Sequence, residues 1–445
     1  MNTRSLFHRW SLEAYLFVLV ISFPISLSFL SGCGFAPAHQ IVICDEFEKL
    51  PLTGLTASPD PMLVFEEVGK IKVMRGVGSA KLNSGNFIKV EQSVSVPDYA
   101  NQATVFLNGW RLNYLGDDQH VLMLGTLIAK IKLDPRNHKL TWDAVGVLRD
   151  DDAKEGYNFT YHYTVLAWND AAVNLVVDQG DPDNFCRADA DLPDNSYLTN
   201  NTGMTTALSS FSSFVQNPNF PPGKPVAVLP RGFAFAWSGG DHHLLQVAYN
   251  LDDSEIFAEN DRQYKKGGKL WSGGEITDGE IPAPLPNPPA SRVDSGFVSW
   301  NAYAIFKDND DRRDYLFGEI VSAAGGTDVG VLQIPFAVLP REGEGGGSLT
   351  GGLQTKEFVV ENIPFRFAIP MLTGWELGYL TDDQHVRDVG IWIDDWTYEI
   401  GVGRLRYKLF SILADNDSWP DHYDRHKVTI LGIEPVTGVI GREKQ

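Results

Sequence analysis

Leu107 to Ile128 reads LNGWRLNYLGDDQHVLMLGTLI, and Leu372 to Ile393 reads LTGWELGYLTDDQHVRDVGIWI. The two stretches align without a gap at an offset of 265, and 13 of 22 positions are identical. The chain therefore repeats itself, and overlooking a repeat misreads the whole fold. A weaker third copy, Gly232 to Leu244 (GFAFAWSGGDHHL), aligns at an offset of 123. There Phe233 replaces Trp110 and Trp237 replaces Tyr114, while Asp241 and His243 match Asp118 and His120.

A second block recurs with the first. Leu140 to Asp152 is LTWDAVGVLRDDD, Val298 to Asp310 is VSWNAYAIFKDND, and Leu405 to Asp417 is LRYKLFSILADND. From the first aromatic to the last Asp the spacing is 42 residues in the first and last copies and 77 in the middle one. The middle copy thus carries an insertion of 35 residues, placed in the Gly/Pro-rich run from Lys266 to Gly296.

The period within each copy is that of strands. Trp110, Leu112 and Tyr114 stand at i, i+2 and i+4, as do Trp375, Leu377 and Tyr379, and Phe233, Phe235 and Trp237. In a strand such residues share one face. Further β-rich runs, Tyr161 to Trp168, Val331 to Leu339 and Val428 to Ile433, are read as the closing strand of each unit. Short strands separated by Gly, Asp and Asn turns predict an all-β chain of three tandem antiparallel β-sandwich-like domains, each independent of its neighbours. The predicted organisation is a signal segment over 1–32, an N-terminal segment over 33–83 that leads into the first copy or adds a strand to it, and repeats over 84–170, 226–340 and 357–445. A linker-rich region over 171–225 and a Gly-rich linker over 341–356 separate them.

Composition limits function. The 445 residues carry 37 Lys+Arg against 57 Asp+Glu, a net charge of -20. Such a surface repels phosphates, so no nucleic-acid partner is expected. With 43% hydrophobic residues the chain has ample apolar surface to fold.

At the N-terminus, Arg4 and Arg9 precede an uncharged apolar stretch, Tyr15 to Leu30, broken by Pro24. It is short for a membrane span and fits a secretory signal. It ends in Leu30-Ser31-Gly32-Cys33. This resembles the lipobox of bacterial lipoproteins, a resemblance confined to the first 33 residues. It implies that Cys33 takes a diacylglyceryl group, that the chain is cut just before it, and that acyl chains hold it to the cell envelope. Gly34 in place of an Asp retention signal favours the outer membrane. Cys44 and Cys186 remain, either as a disulfide in an oxidising compartment or as two free thiols.

Two constellations recur that carry chemistry. The first is Asp118 with His120, Asp241 with His243, and Asp383 with His385. A carboxylate and an imidazole two residues apart on a strand can bind a ligand, hold a metal or act as a general-base pair; the alternative is a structural turn. The second is an acidic loop: Asp150 to Asp152, Asp308 to Asp310 and Asp415 to Asp417. Clustered oxygens at Asp150, Asp152, Asp308, Asp310, Asp415 and Asp417 suit Ca²⁺, the cofactor expected if any is bound; the alternative is a solvated hairpin tip. Trp110, Trp375 and Phe233 are read as core, whereas Trp271, Trp392, Trp396 and Trp419 fall outside the shared pattern and are candidates for an exposed binding platform. No GxSxG, HExxH, CxxC pair or P-loop is present.

The sequence thus predicts a lipid-anchored, non-enzymatic envelope protein whose repeated domains bind a glycan or an envelope protein with avidity. A structural spacer is the first alternative. A secreted hydrolase using the repeated Asp and His is the second.

Overall fold

The computed structural model describes residues 60–84, 87–117, 119–179, 196–200, 208–221, 224–237, 240–251, 297–308, 315–338, 352–379, 383–416 and 422–435. The signal segment, Cys33, Cys44, Cys186, Asp118, Asp310, Asp417, Trp271, Trp419 and the Gly/Pro-rich insertion lie outside them. The described residues are all-β, in three antiparallel sheets. Among them no helix is long and apolar enough to cross a membrane.

The strands fall into three runs. The first holds β1 (Met62–Glu67), β2 (Ile71–Leu82), β3 (Ile88–Ser95), β4 (Gln102–Tyr114), β5 (Met123–Asp134), β6 (Lys139–Arg149) and β7 (Tyr157–Trp168). The second holds β8 (Val176–Asp178), β9 (Ser196–Asn200), β10 (Leu208–Gln216), β11 (Val226–Trp237), β12 (Gln246–Leu251), β13 (Phe297–Lys307) and β14 (Tyr315–Gly325). The third holds β15 (Val329–Val338), β16 (Leu353–Val360), β17 (Phe365–Tyr379), β18 (Asp388–Glu399), β19 (Arg404–Ala414) and β20 (His422–Pro435).

No sheet belongs to one run. The orders are β1-β2-β7-β4-β18-β19-β16, then β3-β6-β5-β11-β14-β8 with β9 also on β14, then β10-β13-β12-β17-β20-β15. In each, a central strand that contains a Gly-aromatic pair (β4, β11 or β17) meets a strand from another run (β18, β5 or β12). The exchange is cyclic, first to second, second to third and third back to first. This corrects the expectation of independent domains on a string, because every sheet spans two copies. The alternation of residues along a strand is the same in both arrangements, so it could not distinguish them.

The three central strands share one irregularity. Their pairing with β7, β14 and β20 shifts between Leu107 and Gly109, Pro230 and Gly232, and Leu372 and Gly374. A bulge at this point bends and twists a strand. The bulged residues Asn108, Arg231 and Thr373 are buried, and each finds a partner. Asn108 donates to the Pro370 carbonyl at 3.0 Å, Arg231 to the Ile128 carbonyl at 3.0 Å, and the Thr373 hydroxyl meets that of Thr429 at 2.9 Å. Glycine follows the bulge because the neighbouring run passes against it: a Cβ on Gly109 would sit 2.1 Å from Trp392 Cβ and 2.2 Å from its Cα.

The next residue on each strand enters the common core. Trp110, Phe233 and Trp375 are buried and touch one another, with ring centroids 5.2, 5.2 and 4.9 Å apart. The core reading of these three residues holds. Their mutual contact is what brings the three sheets around one axis. Rings of this size bury about 150–250 Å² each, roughly 4–6 kcal/mol of gross hydrophobic stabilisation per ring.

Two assignments change. Val331 to Leu339 does not close the second copy: β14 does, and β15 pairs with β20 in the third. The region 171–225 holds β8, β9 and β10, the last paired along its whole length with β13. Its Ser, Asn and Asp content resembles a linker, but ladder pairing decides a strand's place. The segment before residue 84 supplies β1 and β2, and β2 adds itself to the first copy's β7.

Candidate metal centre

Just beyond the core axis, the chain leaves β4, β11 and β17 and turns towards β5, β12 and β18. Three single-residue bridges tie these turns together: Gln119 with Val386, Val121 with His242, and Leu244 with Gln384. Each bridge joins two different copies, so the three close a ring. Its six backbone hydrogen bonds run from 2.8 to 3.2 Å. Val121, Leu244 and Val386, each a member of one bridge, are buried. The Tyr114 and Tyr379 hydroxyls donate to the carbonyls of His120 and His385, at 3.4 and 3.2 Å. These tyrosines stand four residues past Trp110 and Trp375 on the same strand face, so the strand that sets the core also carries the support for the turn.

The middle residue of each bridged turn is a histidine. His120, His243 and His385 form a nearly equilateral triangle, with ring centroids 4.6, 4.7 and 4.6 Å apart. One ring nitrogen from each lies within 4.8 Å of the other two. Tetrahedral zinc, with Zn–N of about 2.0–2.1 Å, asks for nitrogens about 3.3 Å apart. The His120 and His243 side chains are 40% and 41% exposed, so neither ring is fully enclosed by packing.

Among the described residues, a carboxylate lies within hydrogen-bond reach of one ring and close to a second. His120 Nδ1 lies 3.4 Å from Asp241 Oδ1, and His243 Nδ1 lies 3.8 Å from Asp383 Oδ1. A proton on Nδ1 shared with a carboxylate leaves the Nε2 lone pair free, which is how metal-ligating histidines are commonly oriented. Asp241 also accepts the Asp151 backbone N–H at 3.3 Å. The donor set, imidazole without thiolate, suits Zn²⁺ and its neighbours in the first transition row.

The sequence located these residues but paired them wrongly. It placed Asp241 with His243 and Asp383 with His385, within one copy. The structure sets Asp241 on His120 of the first copy and Asp383 on His243 of the second, because the ring staggers neighbouring turns. The convergence of the three histidines was not foreseen. Its signal was present: the middle copy replaces the Trp and the Tyr of the pattern yet keeps Asp241 and His243.

The first acidic loop forms a carboxylate cluster of its own beside this triangle. Asp150 is buried and accepts the Ala153 N–H at 2.7 Å. Asp152 pairs with Lys154, which holds its carboxyl below the usual range. The hydrogen bond with Asp150 lifts the Glu155 carboxyl above its usual range, and burial adds to this. These three carboxylates lie within 4.8 Å of one another. Asp308 is buried with its carboxylate 3.3 Å from His242 Nδ1. Asn416, beside Asp415, donates to Asp117 at 3.2 Å.

Trp392 and Trp396 are not an exposed platform. Trp396 is buried and Trp392 is only 7% exposed. On its sheet Trp392 stands opposite Gly109, which in turn stands opposite His162. The missing side chain at Gly109 lets Trp392 stack on His162 at 5.4 Å, while Phe410 stacks on it at 5.3 Å from the neighbouring strand. Burial pushes the His162 imidazole down to about 4, against the opposing pull of Asp394.

No protein-family model, curated protein or solved structure matches this chain.

Proposed function

We propose that the chain is a metal-binding protein whose centre is built jointly by its three copies. Nε2 of His120, His243 and His385 would hold one divalent transition-metal ion, Zn²⁺ first among the candidates, with Asp241 and Asp383 orienting two of the ligands. The observation that carries this reading is the triangle: one histidine from each copy meets the other two across sequence separations of 123 and 142 residues. Derivation of the copies from one ancestral unit is part of the proposal, supported by the 13 of 22 identities and by the shared strand order.

The test is metal content and calorimetry on the chelator-stripped chain. One Zn²⁺ per chain is expected, with binding lost in His120→Ala, His243→Ala and His385→Ala alike. Binding that survives all three substitutions refutes the centre.

Placement in the envelope through a lipid on Cys33 is a separate proposal, supported by the Leu30-Ser31-Gly32-Cys33 sequence. It fails if Cys33→Ala leaves the protein membrane-bound and unchanged in size.

A further inference from the structure

If the three histidines bind an ion as proposed above, the two sides of that ion are unlike. The inner side is shut by the ring of bridges and by Val121, Leu244 and Val386. The outer side meets solvent, where the His120 and His243 side chains keep 40% and 41% of their exposure. Among the described residues the cluster holds three ligands and no fourth. Structural zinc sites close four positions with protein, whereas sites that perform chemistry keep three protein ligands and leave one position for water or substrate.

We infer that the ion keeps its fourth position open to water on the solvent side and that the site hydrolyses small uncharged carboxylic esters. The ion would polarise the water at its open position and make it a stronger nucleophile. The water oxygen forms a bond to the carbonyl carbon, and the bond from that carbon to the alkoxy oxygen breaks. One water proton ends on the departing alkoxide, giving the alcohol. The carboxylic acid product releases its own proton to solvent, and a second water fills the open position. No oxidant or reductant is needed.

Charge selects the substrate class. Among the described residues, the carboxylates Asp241 and Asp383 stand beside His120 and His243. The chain as a whole carries -20. A phosphate monoester would approach against this field, while an uncharged ester does not feel it. Three neutral imidazoles leave the full charge of a divalent ion to act on the substrate.

The experiment uses the full chain loaded with one equivalent of Zn²⁺, and in parallel with Co²⁺. Turnover of 4-nitrophenyl acetate is expected, falling by about two orders of magnitude after chelation or in His385→Ala and returning with Zn²⁺ in the unmutated chain. Turnover of 4-nitrophenyl phosphate is expected to be far slower. Azide, a ligand for open positions, should inhibit and should change the visible spectrum of the Co²⁺ form. If metal binds stoichiometrically but azide leaves that spectrum unchanged, the fourth position is closed; this inference falls and the metal centre stands. If azide binds but the ester is cleaved no faster than by metal-free protein, the activity falls. Equal rates on the phosphate overturn the substrate class. If no metal binds, both readings fall together.

Discussion

Gly109→Ala tests the joint between the first and third runs. The joint is the β4–β18 ladder, in which Gly109 stands opposite Trp392. Gly109 has φ +145°, a conformation that L side chains rarely adopt, and a Cβ there would meet Trp392 Cβ at 2.1 Å and Cα at 2.2 Å. The backbone strain costs about 1–3 kcal/mol. Forcing the strands apart against a packed core costs a further 1–3 kcal/mol or so. The expected loss is therefore roughly 2–6 kcal/mol, read as a lower denaturation midpoint in urea by tryptophan fluorescence. Because one of the clashing atoms is Trp392 Cα, adding Trp392→Ala should not relieve it. Gly116→Ala is the matched control, since nothing lies within 4 Å of its added Cβ. A Gly109→Ala midpoint equal to that of Gly116→Ala, or rescue by Trp392→Ala, would refute the shared-sheet architecture at this joint.

Three further outcomes are expected. His162 is held neutral, its pKa lowered from 6.5 to about 4; as pH falls below 6.5 the unfolded chain takes up a proton that the folded one refuses. Stability is thus lost between pH 6.5 and 4 by at most about 3 kcal/mol, and His162→Gln should flatten that limb of a pH series of urea midpoints. Asp241→Asn should weaken Zn²⁺ binding by about 10–100-fold in calorimetry without abolishing it, because it frees the His120 ring without removing a ligand. Millimolar Ca²⁺ should leave the melting temperature unchanged, since Asp152 is engaged by Lys154 and Asp308 lies against His242; a rise reversed by chelator would restore the acidic loops as a cation site.

The strand content and the core aromatics were legible because they depend on local period. Trp110, Phe233 and Trp375 each open an apolar i, i+2, i+4 series that marks one strand face, and that face is buried. The partners of each strand were not legible. Nothing in LNGWRLNY states whether its free edge meets a strand of its own copy or one from 275 residues later. The bulge and its glycine encode that choice, but only through the Trp392 backbone that passes against Gly109. The same blindness explains the site. Asp and His at i and i+2 were visible, yet their true relation, carboxylate of one copy to imidazole of the previous one, exists only once the ring is closed. Trp392 failed as a surface candidate for a related reason. Its burial comes from a gap left at Gly109 on another strand, which no window around residue 392 contains.

The cyclic sharing of sheets also bears on how the chain is made. Asn113 pairs with Asp388 across the β4–β18 joint. During synthesis at about 5–20 residues per second, one edge of β4 waits on the order of tens of seconds for its partner to emerge. An unpaired edge is a template for pairing with other chains. Ring closure is therefore a late, long-range step, slow in the way that non-local strand pairing is slow. A truncated chain that ends before β18 should not be a smaller version of this protein. It should be an open ring with a hydrophobic edge, prone to aggregate or to borrow the missing strand from another copy.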